Sequence, residues 1–206
     1  MTSTDPLRIA LVVGSTRPGR RAGLVAEWVQ SFADARPDTG QAATFTVLDL
    51  ADFDLPLLDE PEPAAIGSYR NAHTRRWAAA VAQFDGFVFV TPEYNHSFPA
   101  ALKNAIDYLY AEWNDKAAAF VSYGLTGGTR AVEQLRLVLA EVQVACVRSQ
   151  VAMTLSADFV IEDIRTPGTC APGDHHGPIA DRMLGELLAW AGALRSLRQP
   201  ERVDAR

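Results

Sequence analysis

The chain has few of the features that mark disulfide-rich, nucleic-acid-binding or membrane proteins. Only two cysteines occur in 206 residues, Cys146 and Cys170, and they form neither a Cys-x-x-Cys pair nor a zinc spacing. A formal net charge of −6 argues against a general nucleic-acid binder, which needs a basic face. No apolar run approaches the ~18 residues of a membrane span, and no basic segment followed by an apolar one opens the chain. We therefore expect a cytoplasmic protein that takes no nucleic acid, membrane or metal.

Other absences narrow the remaining classes. A disulfide between the two cysteines is compatible with the sequence, but one core thiol and one loop thiol is the simpler interpretation. Neither Gly-x-x-x-x-Gly-Lys-Ser/Thr nor Gly-x-Gly-x-x-Gly occurs after the first apolar run, so a P-loop NTPase and a standard dinucleotide-binding domain lose support. At 48% hydrophobic and 21% charged residues, the chain can nevertheless bury a core.

What the sequence does contain is an alternation of apolar runs and helical patterns. Parallel strands buried on both faces read as nearly continuous apolar runs, and amphipathic helices as apolar residues three and four apart. The alternation predicts a flavodoxin-like α/β fold, a five-stranded parallel sheet of order 2-1-3-4-5 between helical layers. We expect one domain over residues 1–206, with a core over about 7–197. The predicted strands are 7–13, 44–50, 86–91, 116–122 and 145–155.

The connections are predicted from turn and cap residues. Ser97 is expected to cap a helix that has Pro99 in its first turn, and Thr129 to cap the helix after the fourth strand. A helix is predicted over about 68–84, and a turn over 38–40. Residues 52–63 and 156–177 are expected to be loops. The polar tail from Arg195 is expected to fray.

The loop after the first strand has the chemistry of a phosphate site. It reads Gly-Ser-Thr-Arg-Pro-Gly-Arg-Arg over 14–21 and leads into a helix. A helix N-terminus offers unpaired N–H groups and a favourable dipole to an anion, and an arginine can grip two phosphate oxygens. Arg20 and Arg21 would be unfavourable there without an anion. An ordinary polar turn with solvated arginines is the alternative.

The loops after the third and fourth strands suit a flat ring. Pro-Glu-Tyr-Asn-His-Ser over 92–97 combines a stiff proline, a tyrosine and an asparagine that tolerates left-handed backbone. Glu93 would be costly at the end of a buried strand unless hydrogen-bonded, so we expect it to anchor this loop. The third loop reads Ser-Tyr-Gly-Leu-Thr-Gly-Gly over 122–128, and its three glycines have no Cβ atom, so that the backbone can approach a ligand closely.

Taken together, these segments resemble one family. The loop 14–20, the segment Thr-Pro-Glu-Tyr-Asn-His-Ser-Phe-Pro over 91–99, Leu-Lys-Asn-Ala-Ile-Asp over 102–107 and the glycines after Ser122-Tyr123 are similar to those of NADPH-dependent FMN reductases. That family includes azo, quinone and chromate reductases on a flavodoxin-like fold. The resemblance runs from Leu7 to about Val144. Residues 156–177 match none of its motifs, and no third ligand is spaced to join His175 and His176 at a metal.

The resemblance implies FMN as cofactor and NADPH or NADH as co-substrate. It assigns the FMN phosphate to the first loop, the isoalloxazine ring to the second and the far edge of the ring to the third. It also implies a homodimer or homotetramer built on the helix after the second loop, with Lys103, Asp107, Tyr108 and Trp113 as interface candidates. The implied cofactor-binding residues are Ser15, Thr16, Arg17, Gly19, Arg20, Arg21 and Ala22; Pro92, Glu93, Tyr94 and Asn95; and Ser122, Tyr123, Gly124, Gly127 and Gly128.

The expected function is a two-electron reductase. Hydride would pass from NAD(P)H through FMN to a small acceptor such as a quinone, an azo compound, free flavin or a metal oxyanion. No side chain is required as a general acid, so no catalytic residue is named. Two alternatives stay open: a flavodoxin-like electron carrier, and a non-catalytic flavin-binding module, each docking on protein partners. The arginines of the first loop argue against the carrier, because such carriers resemble one another in a phosphate loop without arginine.

Overall fold

A five-stranded parallel sheet forms the centre of the fold. The computed structural model describes residues 5–37 and 42–198. The order in the sheet is the predicted flavodoxin-like one, β2-β1-β3-β4-β5, with every pair parallel. The carboxyl ends of β1, β3 and β4 therefore meet at one edge, where ligands bind in open α/β sheets. The strands are β1 (Leu7–Val13), β2 (Ala43–Asp49), β3 (Gly86–Pro92), β4 (Lys116–Gly124) and β5 (Val144–Thr154).

Helices cover both faces of this sheet. Because side chains alternate along a strand, Ile9 and Leu11 of β1 pack on one helical layer, while Ala10 and Val12 pack on the other. The first layer consists of α1 (Ala22–Asp34) and α5 (His176–Leu194). The second consists of α2 (Ala72–Ala82), α3 (Ala100–Asp107) and α4 (Thr129–Glu141).

The second layer has an aromatic core. The Trp113 ring lies 6.0 Å from that of Trp77 and 4.9 Å from that of Phe87, centroid to centroid, in edge-to-face contacts. Trp113 and Tyr108 are fully buried within the chain, so the expectation that they form an interface between copies is wrong. Their apolar character is explained by this core.

Two predicted helix caps are also wrong. Pro99, not Ser97, takes the N-cap position of α3, and the Ser97 hydroxyl instead donates to Gln134 Oε1 at 2.6 Å. Thr129 is the first residue of α4, and Gly128 precedes it with a φ of 70°. The left-handed backbone at this cap needs glycine more than it needs a side-chain acceptor.

The described residues after β5 are more ordered than their polar composition predicts. Residues 156–177 contain a short antiparallel pair, β6 (Phe159–Val160) and β7 (Thr169–Cys170). The start of the predicted frayed tail is ordered: Arg195 opens a 3₁₀ turn over Arg195–Arg198, and Arg195 and Arg198 both pair with Asp85 at 2.6 Å. The rest of that predicted tail, 199–206, lies outside the described residues. The turn predicted over 38–40 lies outside the described residues. Within the described ranges, every helix is too short or too polar to cross a membrane.

Candidate functional site

The first loop leaves β1 at the carboxyl edge of the sheet and enters α1 at Ala22. Ser15 is fully buried there, and its Oγ lies 2.8 Å from the Tyr94 hydroxyl, which joins the first loop to the second. Gly19 turns the chain with a φ of 68°. Arg21 occupies the N-cap position of α1. Cations therefore do stand at this helix N-terminus, as the sequence indicates.

The guanidinium groups of Arg20 and Arg21 are only partly satisfied. Arg20 Nη2 pairs with Asp49 Oδ2 at 2.5 Å, and Arg21 Nη2 donates to the Thr166 carbonyl at 2.8 Å. The Nε atoms of both arginines are buried, and neither has an acceptor among the described residues. A buried donor left without an acceptor costs about 1–3 kcal/mol, and more when it is charged. Two such donors, adjacent in the chain, offer a site for an anion.

The second loop is a tight turn that α4 holds in place. Tyr94 N donates to Ser97 O at 2.8 Å and Ser97 N to Tyr94 O at 3.0 Å, while Asn95 and His96 between them have φ of 49° and 72°. Two left-handed central residues define a type I′ turn, so the expected tolerance of Asn95 for left-handed backbone is confirmed. Gln134 of α4 fixes the turn, since its Nε2 donates to the His96 carbonyl at 2.6 Å.

Glu93 anchors the second loop to the third, as expected. Its backbone N donates to the Tyr123 carbonyl at 3.1 Å, and its carboxylate pairs with the Arg130 guanidinium from the first turn of α4. Arg130 also lies 3.1 Å from His96 Nδ1. Glu93 Oε2 is buried and has no donor in the part of the chain that the structure describes. This loop thus carries an unused acceptor alongside the unused donors of the first.

The third loop brings backbone close to backbone. Ser122, fully buried, donates its hydroxyl to the Gly127 carbonyl at 2.6 Å. A Cβ on Gly128 would lie 2.9 Å from both the N and the O of Tyr123, so only glycine fits there. Burial raises the pKa of the Tyr123 phenol well above its usual range, so this side chain stays neutral.

The three loops line one open pocket of about 180 Å³. Its wall combines guanidinium groups with proline, tyrosine and leucine surfaces, which fits a phosphate ester that carries a flat ring. The two unpaired Nε donors support the same fit. Of the residues assigned to FMN from the sequence, the pocket brings together Arg17, Gly19, Arg20, Arg21, Pro92, Glu93, Tyr94, Tyr123 and Gly124.

Comparison with known proteins agrees with this chemistry. Residues 7–158 match the family described as NADPH-dependent FMN reductase. The chain belongs to this family. The resemblance inferred from the three loops is confirmed, and with it the expectation of an oxidoreductase that uses FMN and NAD(P)H.

Individual relatives and solved structures show how far the likeness extends. The chain is 43% identical over 132 residues to the NAD(P)H-dependent FMN reductase ntnL of a Nectria species, a match over 62% of this chain and 65% of that protein, slightly under two thirds of its length. It is 32% identical over 142 residues to the quinone reductase of Escherichia coli K12, over 66% and 71% of the two chains. Among solved structures, FerB, a flavoenzyme NAD(P)H:(acceptor) oxidoreductase from Paracoccus denitrificans, superposes with a TM-score of 0.66 over 91% of this chain and 98% of that one, at 21% identity, and supports the fold alone.

Several residues assigned from the FMN reductase resemblance lie behind the pocket wall or beside it, and their assignment stays a prediction. Ser122 and Gly127 hold the third loop together. Thr16 faces a second cavity of about 260 Å³ between the first loop, the segment after β2 and α3. The others outside the pocket lining are Ser15, Ala22, Asn95 and Gly128.

Three residues near the pocket were missed by sequence reasoning. Leu125 and Leu155 line it, and Arg130 holds Glu93. Arg130 could have been found from its position, because a cation in the first turn of a helix opposes the dipole and needs a partner. The leucines carried no such signal.

The two histidines at the start of α5 do have a third group near them. Asp158 lies within 4.8 Å of His175 and His176, although no spacing in the sequence suggested it. Both oxygens of this buried carboxylate already accept hydrogen bonds, from Thr154 N at 2.7 Å, Gly173 N at 3.3 Å and His176 Nε2 at 2.9 Å. Burial alone would raise the pKa of Asp158, but these donors lower it. Asp158 therefore fastens the turn after β5 to the start of α5, while His176 Nδ1 is buried without a partner among the described residues.

Proposed function

We propose that this protein oxidises NAD(P)H at FMN held in the three-loop pocket and reduces a small acceptor of the quinone, azo, free-flavin or metal-oxyanion class. The observation that carries the proposal is the pair of buried, unpaired Nε donors on Arg20 and Arg21 in a pocket otherwise walled by tyrosine, proline and leucine. Such a pocket favours a ligand in which an anionic group is attached to a flat apolar ring.

Each loop would have a distinct task. Arg17, Arg20 and Arg21 would bind the phosphate, and the Glu93 anchor would keep the second and third loops at a fixed spacing. Leu125 and Leu155 would exclude water from the pocket. Bound FMN supplies the hydride chemistry, so binding, orientation and exclusion of water are what the protein contributes.

Cellular location and oligomeric state are further parts of the proposal. The two cysteines are both free thiols, as is usual in a reducing compartment, which supports a cytoplasmic location. Lys103 and Asp107, an exposed pair on α3 with Nζ 2.6 Å from Oδ2, remain candidates for contact with a second copy. We propose that the protein forms a homodimer or homotetramer through this helix.

The absorbance spectrum of the purified protein tests the central proposal. The protein with added FMN should show flavin bands that bleach when NADPH or NADH is added without oxygen, and that return when a quinone is added. An electron carrier would bind FMN, but NADPH alone would not bleach it. A protein that binds no FMN at all would contradict the proposed site.

The FMN affinity of a matched pair of variants then tests where the flavin binds. Glu93→Gln should remove the ion pair with Arg130, loosen the second loop and weaken FMN binding. Glu62→Gln removes a more exposed ion pair, with Arg70, outside the three loops, and should leave FMN binding unchanged. Equal FMN affinities in both variants would place the flavin elsewhere.

A further inference from the structure

The segment 161–168, which joins β6 to β7, reaches back to the first loop. Arg21 Nη2 donates to the Thr166 carbonyl at 2.8 Å and approaches the Ile164 carbonyl at 3.5 Å. On the other side of the turn, the Arg165 carbonyl lies 4.0 Å from where a Cβ on Gly19 would stand. The family match ends at residue 158, so this contact is made by a part of the chain beyond the matched region.

The base of the segment is fixed, but its tip depends on Arg21. Asp158 ties the turn after β5 to Gly173 and to His176 of α5. Each of the two strands that follow is only two residues long. Strands this short contribute little stability alone. The hydrogen bonds to Arg21 therefore hold the tip on the first loop.

Arg21 has two separate uses for one guanidinium group. Its side chain lines the flavin pocket, and the residue is only 7% exposed. One edge of the guanidinium holds the segment 161–168, while its Nε has no acceptor among residues 5–37 and 42–198. Neutral carbonyls do not balance the buried positive charge of Arg21, and a buried charge without an anionic partner is costly. A phosphate at Nε would supply the missing charge.

We propose that the segment 161–168 is part of the FMN site and acts as a clasp, docking on Arg21 so that FMN is retained as a resident cofactor and does not exchange like a substrate. The inference rests on the proposed function. Docking of the clasp orients the Arg21 guanidinium toward the phosphate, and phosphate bound there strengthens the docking. By linkage, each event must favour the other by the same factor.

A variant without the clasp tests this directly. Val160 and Thr169 are an antiparallel pair, so residues 161–168 can be replaced by Asn-Gly, which closes such a pair in a type I′ turn. Release of FMN, followed by the recovery of flavin fluorescence after dilution, should be at least tenfold faster than in the unaltered protein. Arg195→Ala, which removes an ion pair with Asp85 at the opposite edge of the sheet, is the control for general destabilisation and should release FMN at the unaltered rate. Equal release from the clasp variant and the unaltered protein would overturn the proposal.

Trypsin cleavage of the unaltered protein gives a second measurement, which does not depend on the variant folding. The Arg165 side chain is 86% exposed, so the bond after it is accessible when the clasp opens. Saturating FMN should slow cleavage after Arg165 several-fold, without slowing cleavage after exposed Arg70. If FMN binds but Arg165 is cut equally fast, the clasp is wrong and the proposed function stands. If the unaltered protein binds no FMN, the proposed function itself fails.

Discussion

Replacing Gly128 by alanine would test whether the third loop shapes the pocket. Gly128 precedes α4 with a φ of 70°. A Cβ there would lie 2.9 Å from Ser122 Cβ and equally close to the N and O of Tyr123. Those atoms belong to the buried end of β4, which is paired with β3 on one side and β5 on the other. They cannot move away without disturbing the sheet.

Two terms set the size of the effect. A left-handed backbone costs alanine about 1–2 kcal/mol, and overpacking against a buried backbone typically costs about 1–3 kcal/mol more. At ~2–4 °C per kcal/mol for a chain of this size, the apparent Tm should fall by roughly 4–20 °C. Because the displaced atoms belong to Tyr123, which lines the pocket, FMN affinity should fall as well.

Thermal unfolding followed by circular dichroism, together with titration of FMN by fluorescence quenching, measures both effects. Gly185→Ala is the matched control, because no described atom lies within 4 Å of a Cβ built on Gly185 in α5. That substitution should stabilise the helix by about 0.5–1 kcal/mol. If Gly128→Ala melted within about 2 °C of the unaltered protein and kept its FMN affinity, the close approach of these loops would be refuted.

Three further predictions concern single side chains. Burial lowers the pKa of Lys116 from 10.5 to about 7, so the folded protein binds fewer protons than the unfolded chain. Its free energy of unfolding should therefore rise with pH between about 7 and 10.5, by at most ~1.4 kcal/mol per pH unit. Lys116→Met should remove this slope in urea titrations, and an unchanged slope would assign it to another group. Arg17→Ala should weaken FMN binding by roughly 1.5–3 kcal/mol without changing the melting temperature of the apoprotein, because Arg17 is exposed; unchanged affinity would mean that the phosphate lies elsewhere. Tyr94→Phe removes the shorter of two contacts of the buried Ser15 hydroxyl, leaving only the one from Arg17 N at 3.4 Å. It should lower the unfolding free energy by about 1–3 kcal/mol, with Ser15→Ala restoring part of it; additive losses in the double variant would show that the two hydroxyls are not coupled.

The strands β1 and β3 could be predicted closely because each is an apolar run with a clear end. The predicted strand 7–13 coincides with β1, and β3 extends the predicted 86–91 by a single residue, Pro92. In a parallel sheet the carboxyl ends of all strands lie at the same edge, so the strand order alone predicts that the three loops meet there. Local chemistry was sufficient for Glu93, since a carboxylate at the end of a buried strand must have a partner.

Contacts between distant parts of the chain could not be predicted in this way. Arg21 and Thr166 are 145 residues apart, and nothing in the sequence near either residue indicates that they meet. Asp158 and His176 are 18 residues apart, a separation that matches neither a helical turn nor a strand pair. The position of Trp113 after the helix implied in the interface predicts a surface residue, whereas the aromatic residues that bury it come from α2 and β3.

The ion pairs of Asp85 with Arg195 and Arg198 place the two ends of the described chain side by side. Arg195 donates to the Asp5 carbonyl at 2.8 Å and to the Pro6 carbonyl at 3.1 Å while it pairs with Asp85. All these residues lie at the amino edge of the sheet, and the flavin pocket lies at the carboxyl edge, one strand length or about 20 Å away. A protein immobilised through this amino edge would therefore present its pocket outward, so that an electrode or a partner enzyme attached there would leave the mouth of the pocket accessible.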